Sequence, residues 1–159
     1  MAPDPQAVST AVGLPPLLRP IRASDVERIA RWYDTAVVLA GSPIPLGGLL
    51  APTDRRRTLV VAESDGREPE GLIALALDDP KPGWVTVPLL AVAATEKRDV
   101  AAQAVAVLEA ELHGQARHIR AAAPPDVGLA LYFWLRLGYR PAVSAERLWM
   151  TRDFDTQGE

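Results

Sequence analysis

The sequence predicts an α+β (mixed α/β) domain: a single central mixed sheet of about seven strands flanked by about four helices. Two observations carry most of that prediction. Trp84 to Leu112 reads as a buried strand running directly into an amphipathic helix. Val85 to Val92 is apolar or β-branched almost throughout, as suits a strand covered on both faces. Val100 to Leu112 then places Ala101, Ala104, Val105, Leu108 and Leu112 on one stripe, at spacings of three and four. The second observation is the order of the elements. Three hairpin-joined strands precede two strand–helix units, which puts helices on both faces of one sheet.

In order, 1–16 is rich in Pro, Ala and Ser and reads as a flexible N-terminal tail. Leu17 to Arg22 is a short strand whose proline favours an edge. Ser24 or Asp25 caps a helix with Glu27 in its first turn and Val26, Ile29, Ala30 and Tyr33 along one side. Ala36 to Pro52 is expected to hold a second short helix near Val37, then a Gly/Pro-rich loop of the kind that forms lids or binding loops. Arg57 to Ser64 and Glu70 to Leu77 make a hairpin across Asp65-Gly66. The central strand and helix follow, with Gly114 as the helix stop. His118 to Ala123 is a strand. Pro124-Pro125-Asp126 opens a helix over Val127 to Leu137, closed by Gly138. Tyr139 to Val143 and Arg147 to Thr151 complete the sheet as a terminal hairpin, so the domain spans 17–154 and 155–159 is a C-terminal tail.

Composition narrows the function classes. The chain has 159 residues, 48% apolar and 23% charged, an ordinary globular balance for one domain. Its net charge is −3, and no basic run exceeds Arg55-Arg56-Arg57, which argues against a nucleic-acid surface. With no cysteine there is no disulfide, thiolate metal site or Cys nucleophile, and two histidines make a His-rich metal site improbable. The N-terminus lacks a basic start and apolar core, so no signal peptide is expected, and no apolar run is long enough to span a membrane. A cytoplasmic protein is expected, and the abundance of Ala, Arg and Pro suggests a GC-rich bacterial source. No Gly-x-Ser-x-Gly elbow, Walker loop or His-Glu-x-x-His is present.

Three stretches together resemble the GNAT superfamily of acyl-CoA-dependent N-acyltransferases: LRPIRASDVERIARWY, the hairpin RTLVVAESDGREPEGLIALAL, and DVGLALYFWLRLGYRP with its Leu137-Gly138-Tyr139 ending. The resemblance covers about Leu17 to Phe154. It implies acetyl-CoA or another acyl-CoA as cofactor, an amine of a small molecule or peptide as acceptor, no metal, and a homodimer as the default assembly. In that family the strand before the cofactor loop splays from its neighbour, and its free backbone pairs with the pantetheine arm. The matching residues are Leu90, Ala91, Val92 and Ala93. Pro88 suits such a departure, because it cannot donate to a ladder, but it suits a plain bulge equally.

The family's phosphate loop, laid on this chain, runs from Lys97 through Arg98, Val100 and Ala101 to Ala102. Val100 stands where the family has a glycine that lets phosphate approach the backbone. Asp99 reads either as part of that loop or as an N-cap whose carboxylate occupies the amides the diphosphate needs. The family's acid, a Tyr five residues before the closing aromatic, falls on Trp134, whose indole donates but is no usable acid. Tyr132 lies on a different face of that helix. Catalytic candidates are therefore weak: Trp134, Tyr132 and Glu63, with Asp78 and Asp79 as other strand-end carboxylates and His113 and His118 read as helix-end residues. Trp32, Tyr33 and Trp84 are candidates for a substrate pocket, or for core.

Two functions follow. One is acyl transfer by direct attack of an amine on the thioester, with backbone N–H groups near Val92 and Ala93 polarising the carbonyl. The other is a GNAT-like protein that has lost acyl-CoA use, serving as a binding or regulatory module or catalysing another small-molecule reaction. A GNAT-like domain whose free strand edges pair with a partner subunit is a further alternative.

Overall fold

The structure, a computed structural model, describes residues 17–42, 44–49, 55–62, 68–124, 128–144 and 147–154. In chain order the elements are β1 (Leu17–Pro20), a 3-10 turn (Ala23–Asp25) entering α1 (Val26–Tyr33), β2 (Val37–Gly41), α2 (Leu46–Leu49), β3 (Arg56–Ala62), β4 (Pro69–Leu77) and β5 (Trp84–Val92). A second 3-10 turn (Thr95–Lys97) continues as α3 (Arg98–Leu112). Then come β6 (His118–Ala122), α4 (Gly128–Arg136), β7 (Arg140–Ser144) and β8 (Arg147–Asp153). The eight strands form one sheet in the order β1-β3-β4-β5-β6-β8-β7, with β2 paired to β5 off that path. β5 and β6 run parallel, and the other pairs are antiparallel. This is the mixed α+β domain the sequence predicts, with β1 at an edge and Gly114 and Gly138 just past the ends of α3 and α4. Both tails and the Asp65-Gly66 turn lie outside the described residues.

One element differs. The segment near Val37 is a strand, not a second short helix, which makes eight strands rather than about seven. Val37 and Val38 are β-branched and stiff at χ1, and a backbone edge of β5 lies open to them, so tertiary pairing outweighs any helical tendency. Asp25 stands at the N-cap position of α1, as the sequence predicts, but makes no side-chain cap bond to that helix. Its buried carboxylate accepts the Arg22 backbone N–H at 2.8 Å and two bonds from the Arg19 guanidinium, each 2.8 Å.

The core divides across the sheet. On one face, α3 and α4 cover Val61, Ile73, Val85, Val87, Leu90 and Val92, and the predicted helix stripe (Ala101, Ala104, Val105, Leu108, Leu112) is buried there. On the other, α1 and α2 cover Val60, Ala62, Leu72, Ala74, Leu89 and Ala91. β5 changes parity between these sets: Val85 and Val87 face α3, then Leu90 and Val92 do. The cause is a bulge. Ala74 pairs with Leu89 and Ala76 with Thr86, so Leu75 stands opposite two residues, Val87 and Pro88. The extra residue flips every later side chain to the other face.

Candidate functional site

The same bulge marks where β5 parts from β6. Their pairing runs from Trp84↔His118 to Val87↔Ala121 and stops before Pro88. Pro88, with no N–H to give, ends that ladder, and a cleft opens between the two strands. The cleft is filled by the chain itself. β2 lies along β5 with Val37↔Val92, Val38↔Ala91, Ala40↔Leu90 and Gly41↔Leu89 paired, while β4 holds the opposite edge of the same residues. β2 also contacts β6 and α4. The backbone of Leu89–Val92 is thus engaged on both sides, and the next amide, Ala93 N–H, donates to the Glu70 carbonyl at 2.9 Å.

Two local features seat β2. Its register slips between Val38 and Ala40, leaving Leu39 as an extra residue outside the regular ladder. The Leu39 carbonyl is taken up by the indole N–H of Trp134, at 2.7 Å and fully buried. At the end of β2, Gly41 sits at φ +71, and a Cβ there would stand 1.7 Å from the Pro88 carbonyl oxygen. Only glycine permits that approach.

Beside the cleft, the start of α3 and the side of α4 enclose a groove of about 350 Å³. Its charged lining residues are Arg98, Arg136, Glu96 and Asp99, two cations against two carboxylates. Tyr132 forms part of the α4 wall, exposed, with Arg136 over its ring.

No family model matches the sequence, and no curated protein matches it. Solved structures do match in shape. An acetyltransferase from Thermus thermophilus aligns at TM-score 0.67 and 22% identity, covering 88% of this chain and 97% of that one. The ribosomal-protein-S18-alanine N-acetyltransferase of Escherichia coli aligns at TM-score 0.68 and 11% identity, covering 91% and 97%. The GNAT domain of S. lividans PAT aligns at TM-score 0.63 and 15% identity, covering 90% and 93%. The chain has the GNAT fold.

Within the GNAT fold, the residues expected to hold acyl-CoA have other partners here. Leu90, Ala91, Val92 and Ala93 are those just described, paired to β2, β4 and Glu70. Lys97 is ion-paired to the buried Glu70 at 2.9 Å. Arg98 donates from Nε to the Thr95 carbonyl at 3.1 Å. Val100 packs against the α3-side core, Ala101 is fully buried, and Ala102 lines the groove. The Asp99 cap is not formed: the 3-10 turn carries helical backbone upstream, α3 begins at Arg98, and its N-cap position is Lys97. Asp99 becomes an exposed first-turn residue, where a carboxylate suits the helix dipole without closing the helix tip.

The described catalytic candidates have separate surroundings. Trp134 is bound to β2, Tyr132 faces the groove, and Glu63 lies outside the described residues. The three proposed pocket aromatics also separate. Trp32 and Tyr33 pack in the α1-side core, where the Tyr33 hydroxyl donates to the Ile44 carbonyl (2.5 Å) and accepts its N–H (2.9 Å). Burial holds the Tyr33 hydroxyl above its usual pKa. Trp84 stacks on His118 with ring centroids 4.4 Å apart, and His118 Nδ1 meets Asp153 at 2.6 Å; His118 opens β6, as the strand reading has it, and does not sit at the end of α3. Sequence reading misses Glu70 and Glu109. Glu109 accepts from the Tyr139 hydroxyl at 2.6 Å and from Arg152 at 3.1 Å. A carboxylate in an otherwise apolar strand and one on an amphipathic helix carry no spacing signal that would mark them.

Among the described residues, no group of three or more His, Asp or Glu is placed to hold a metal ion, and no helix is long and apolar enough to cross a membrane.

Proposed function

We propose that this chain is a GNAT-fold protein that has lost acyl-CoA use, serving as a binding or regulatory module or catalysing another small-molecule reaction, with its cofactor cleft closed by its own strand β2. The observation that carries this reading is the pairing of Leu89–Val92 on both edges, which leaves no strand edge for a pantetheine arm. Opening the cleft would expose Leu39, at a cost of about 1.5–3 kcal/mol for a leucine side chain. It would also strip Trp134 of its acceptor, at about 1–3 kcal/mol for a buried donor. Together these remove at least about two decades from any intrinsic affinity for the cofactor, since each 1.4 kcal/mol is tenfold. The charge-balanced groove at the α3 tip offers little to offset that for an anionic diphosphate.

A second reading is an acyl-CoA-dependent N-acyltransferase, acting on an amine of a small molecule or peptide, in which β2 withdraws. Two observations favour it: the acetyltransferases that share the fold, and the groove retained beside the α3 N-terminus. That chemistry would require the Ala93 N–H to leave Glu70 before it could polarise a thioester carbonyl. Trp134 would supply no proton, so the departing thiolate would take one from water.

Calorimetric titration with acetyl-CoA and CoA separates the two. The closed reading expects no heat up to ~1 mM ligand, and a Kd in the micromolar range would replace it with the transferase.

A further inference from the structure

The sheet face opposite α3 and α4 is covered by α1 and α2 over β3, β4 and part of β5 only. Across the remainder runs one ladder row: Arg56 pairs with Ala76, Ala76 with Thr86, Thr86 with Arg120, Arg120 with Thr151, and Thr151 with Arg140. Directly paired residues share a face, and their neighbours Val85, Ile119 and Met150 belong to the α3-side core. Arg56, Thr86, Arg120 and Arg140 therefore lie on the face the described helices leave open.

Arg120 sits at the centre of this row and is largely buried, its side chain 16% exposed. Its Nε donates to Thr86 Oγ1 at 2.9 Å, and Thr86 Oγ1 in turn donates to the Asp79 carbonyl at 2.8 Å, which fixes the guanidinium in place. Its carbon lies 3.6 Å from the Trp149 ring centroid, and the Arg147 guanidinium lies 5.1 Å from the same ring. Two cations thus share one indole. The only carboxylate in ion-pair range of Arg120 among the described residues is the half-exposed Asp79, at 3.8 Å. Burial first, and Arg147 after it, hold the Arg120 pKa below its usual value despite Asp79. A partly desolvated guanidinium beside a second cation is costly unless anionic charge completes it. Thr86 also lines a cavity of about 420 Å³, ample for a small ligand, whose charged walls are Arg55 and Arg56 against Asp78 and Asp79, so net positive charge for an anion has to come from Arg120 and Arg147.

We propose that this open sheet face binds a small oxyanion, a carboxylate or phosphate compound, between Arg120 and Arg147 at Trp149, with Arg56 on the far wall of the adjoining cavity. The planar fork of arginine matches both chemistries, with two parallel N–H donors for two oxygens. The site is on the opposite face from the α3–α4 groove, so it does not depend on whether acyl-CoA is used.

The test follows the four tryptophan indole N–H signals by ¹H–¹⁵N NMR, assigned with Trp149→Phe, while citrate, pyrophosphate or sodium chloride at matched ionic strength is added to the full chain. The Trp149 signal should move and saturate with citrate, pyrophosphate or both, with Kd below ~1 mM. Citrate alone assigns a carboxylate ligand and pyrophosphate alone a phosphorylated one. Arg147→Gln, at an exposed position, should weaken binding at least ~5-fold, Arg120→Gln should do so where it folds, and Arg31→Gln, exposed on α1, should leave it unchanged. No movement up to ~10 mM, an equal response to chloride, or a titration indifferent to Arg147→Gln would overturn the proposal.

Discussion

The indole N–H of Trp134 donates to the carbonyl of Leu39 at 2.7 Å, joining helix α4 to a strand 95 positions earlier in the chain. Both groups are buried, and Leu39 is the residue that the register slip in β2 releases from its ladder. The bond satisfies a carbonyl that would otherwise be stranded, and it occupies the position where the GNAT resemblance implies an acid.

Trp134→Phe tests this bond. It keeps an aromatic in the T-shaped contacts with Phe133 and Tyr139 while deleting the donor. Global stability in urea should fall by about 1–3 kcal/mol, the cost of an unpaired buried polar group plus some lost volume. Hydrogen exchange should rise selectively over Val37–Gly41. Uniform loss of protection across the sheet would mean that Trp134 supports the core in general and does not specifically seat β2.

Gly41→Ala separates the two functional readings. The added methyl would stand 1.7 Å from the Pro88 oxygen, at a backbone φ of +71 that alanine disfavours. Strain and overpacking of about 1–3 kcal/mol each should force β2 out of the cleft or unfold the domain. Circular dichroism distinguishes the two outcomes. A folded variant that gains acetyl-CoA binding absent from the parent would mean that an intact cofactor cleft lies beneath β2. A folded variant that remains silent would support lasting loss of acyl-CoA use.

Asp25→Asn removes the charge that two Arg19 bonds and one backbone N–H converge on. Leaving a buried guanidinium without its counter-ion should cost about 3–5 kcal/mol at pH 7. The Arg19 guanidinium holds the Asp25 carboxyl below its usual value of 3.8. Its contribution is therefore fully present above that ordinary value and is lost as pH falls through the lower, folded one. Urea midpoints measured from pH 6 down to pH 2 should drop in the parent, and less steeply in Asp25→Asn.

Tyr139→Phe probes the alkaline side. Burial, with Glu109 beside it, raises the Tyr139 hydroxyl well above its usual value of 10.0, and burial raises Tyr33 as well. A folded value above the unfolded one means stability is intact below pH ~10 and declines above it, because the unfolded chain releases the proton first. The phenolate absorbance of Tyr139 should therefore appear together with unfolding and not before it. In Tyr139→Phe the loss of the bond to Glu109 should cost about 1.5–3 kcal/mol, and the alkaline decline should become shallower.

Much of the fold is legible in local pattern. The apolar run Val85–Val92, the α3 stripe and the two helix-ending glycines act within a few residues of themselves, and all stand where periodicity puts them. Pro88 is legible halfway. Its missing N–H ends the β6 ladder in any context, but whether the space beyond it stays open depends on a segment some 50 positions away. The segment near Val37 reads as a short helix for that reason. It is short, it lacks a strict alternation, and its strand state comes from the β5 edge it pairs with.

What the sequence determined by itself is the GNAT-like order of strands and helices, because hydrophobic period and turn chemistry are local properties of the chain. What only the tertiary structure decided is who occupies the cleft. Leu39, Gly41, Pro88 and Trp134 carry no shared motif, and their relationship exists only once β2 lies between β5 and α4. The ladder of arginines on the open face is likewise a product of register. Arg56, Arg120 and Arg140 are far apart in sequence and fall on one cross-strand row through strand pairing alone.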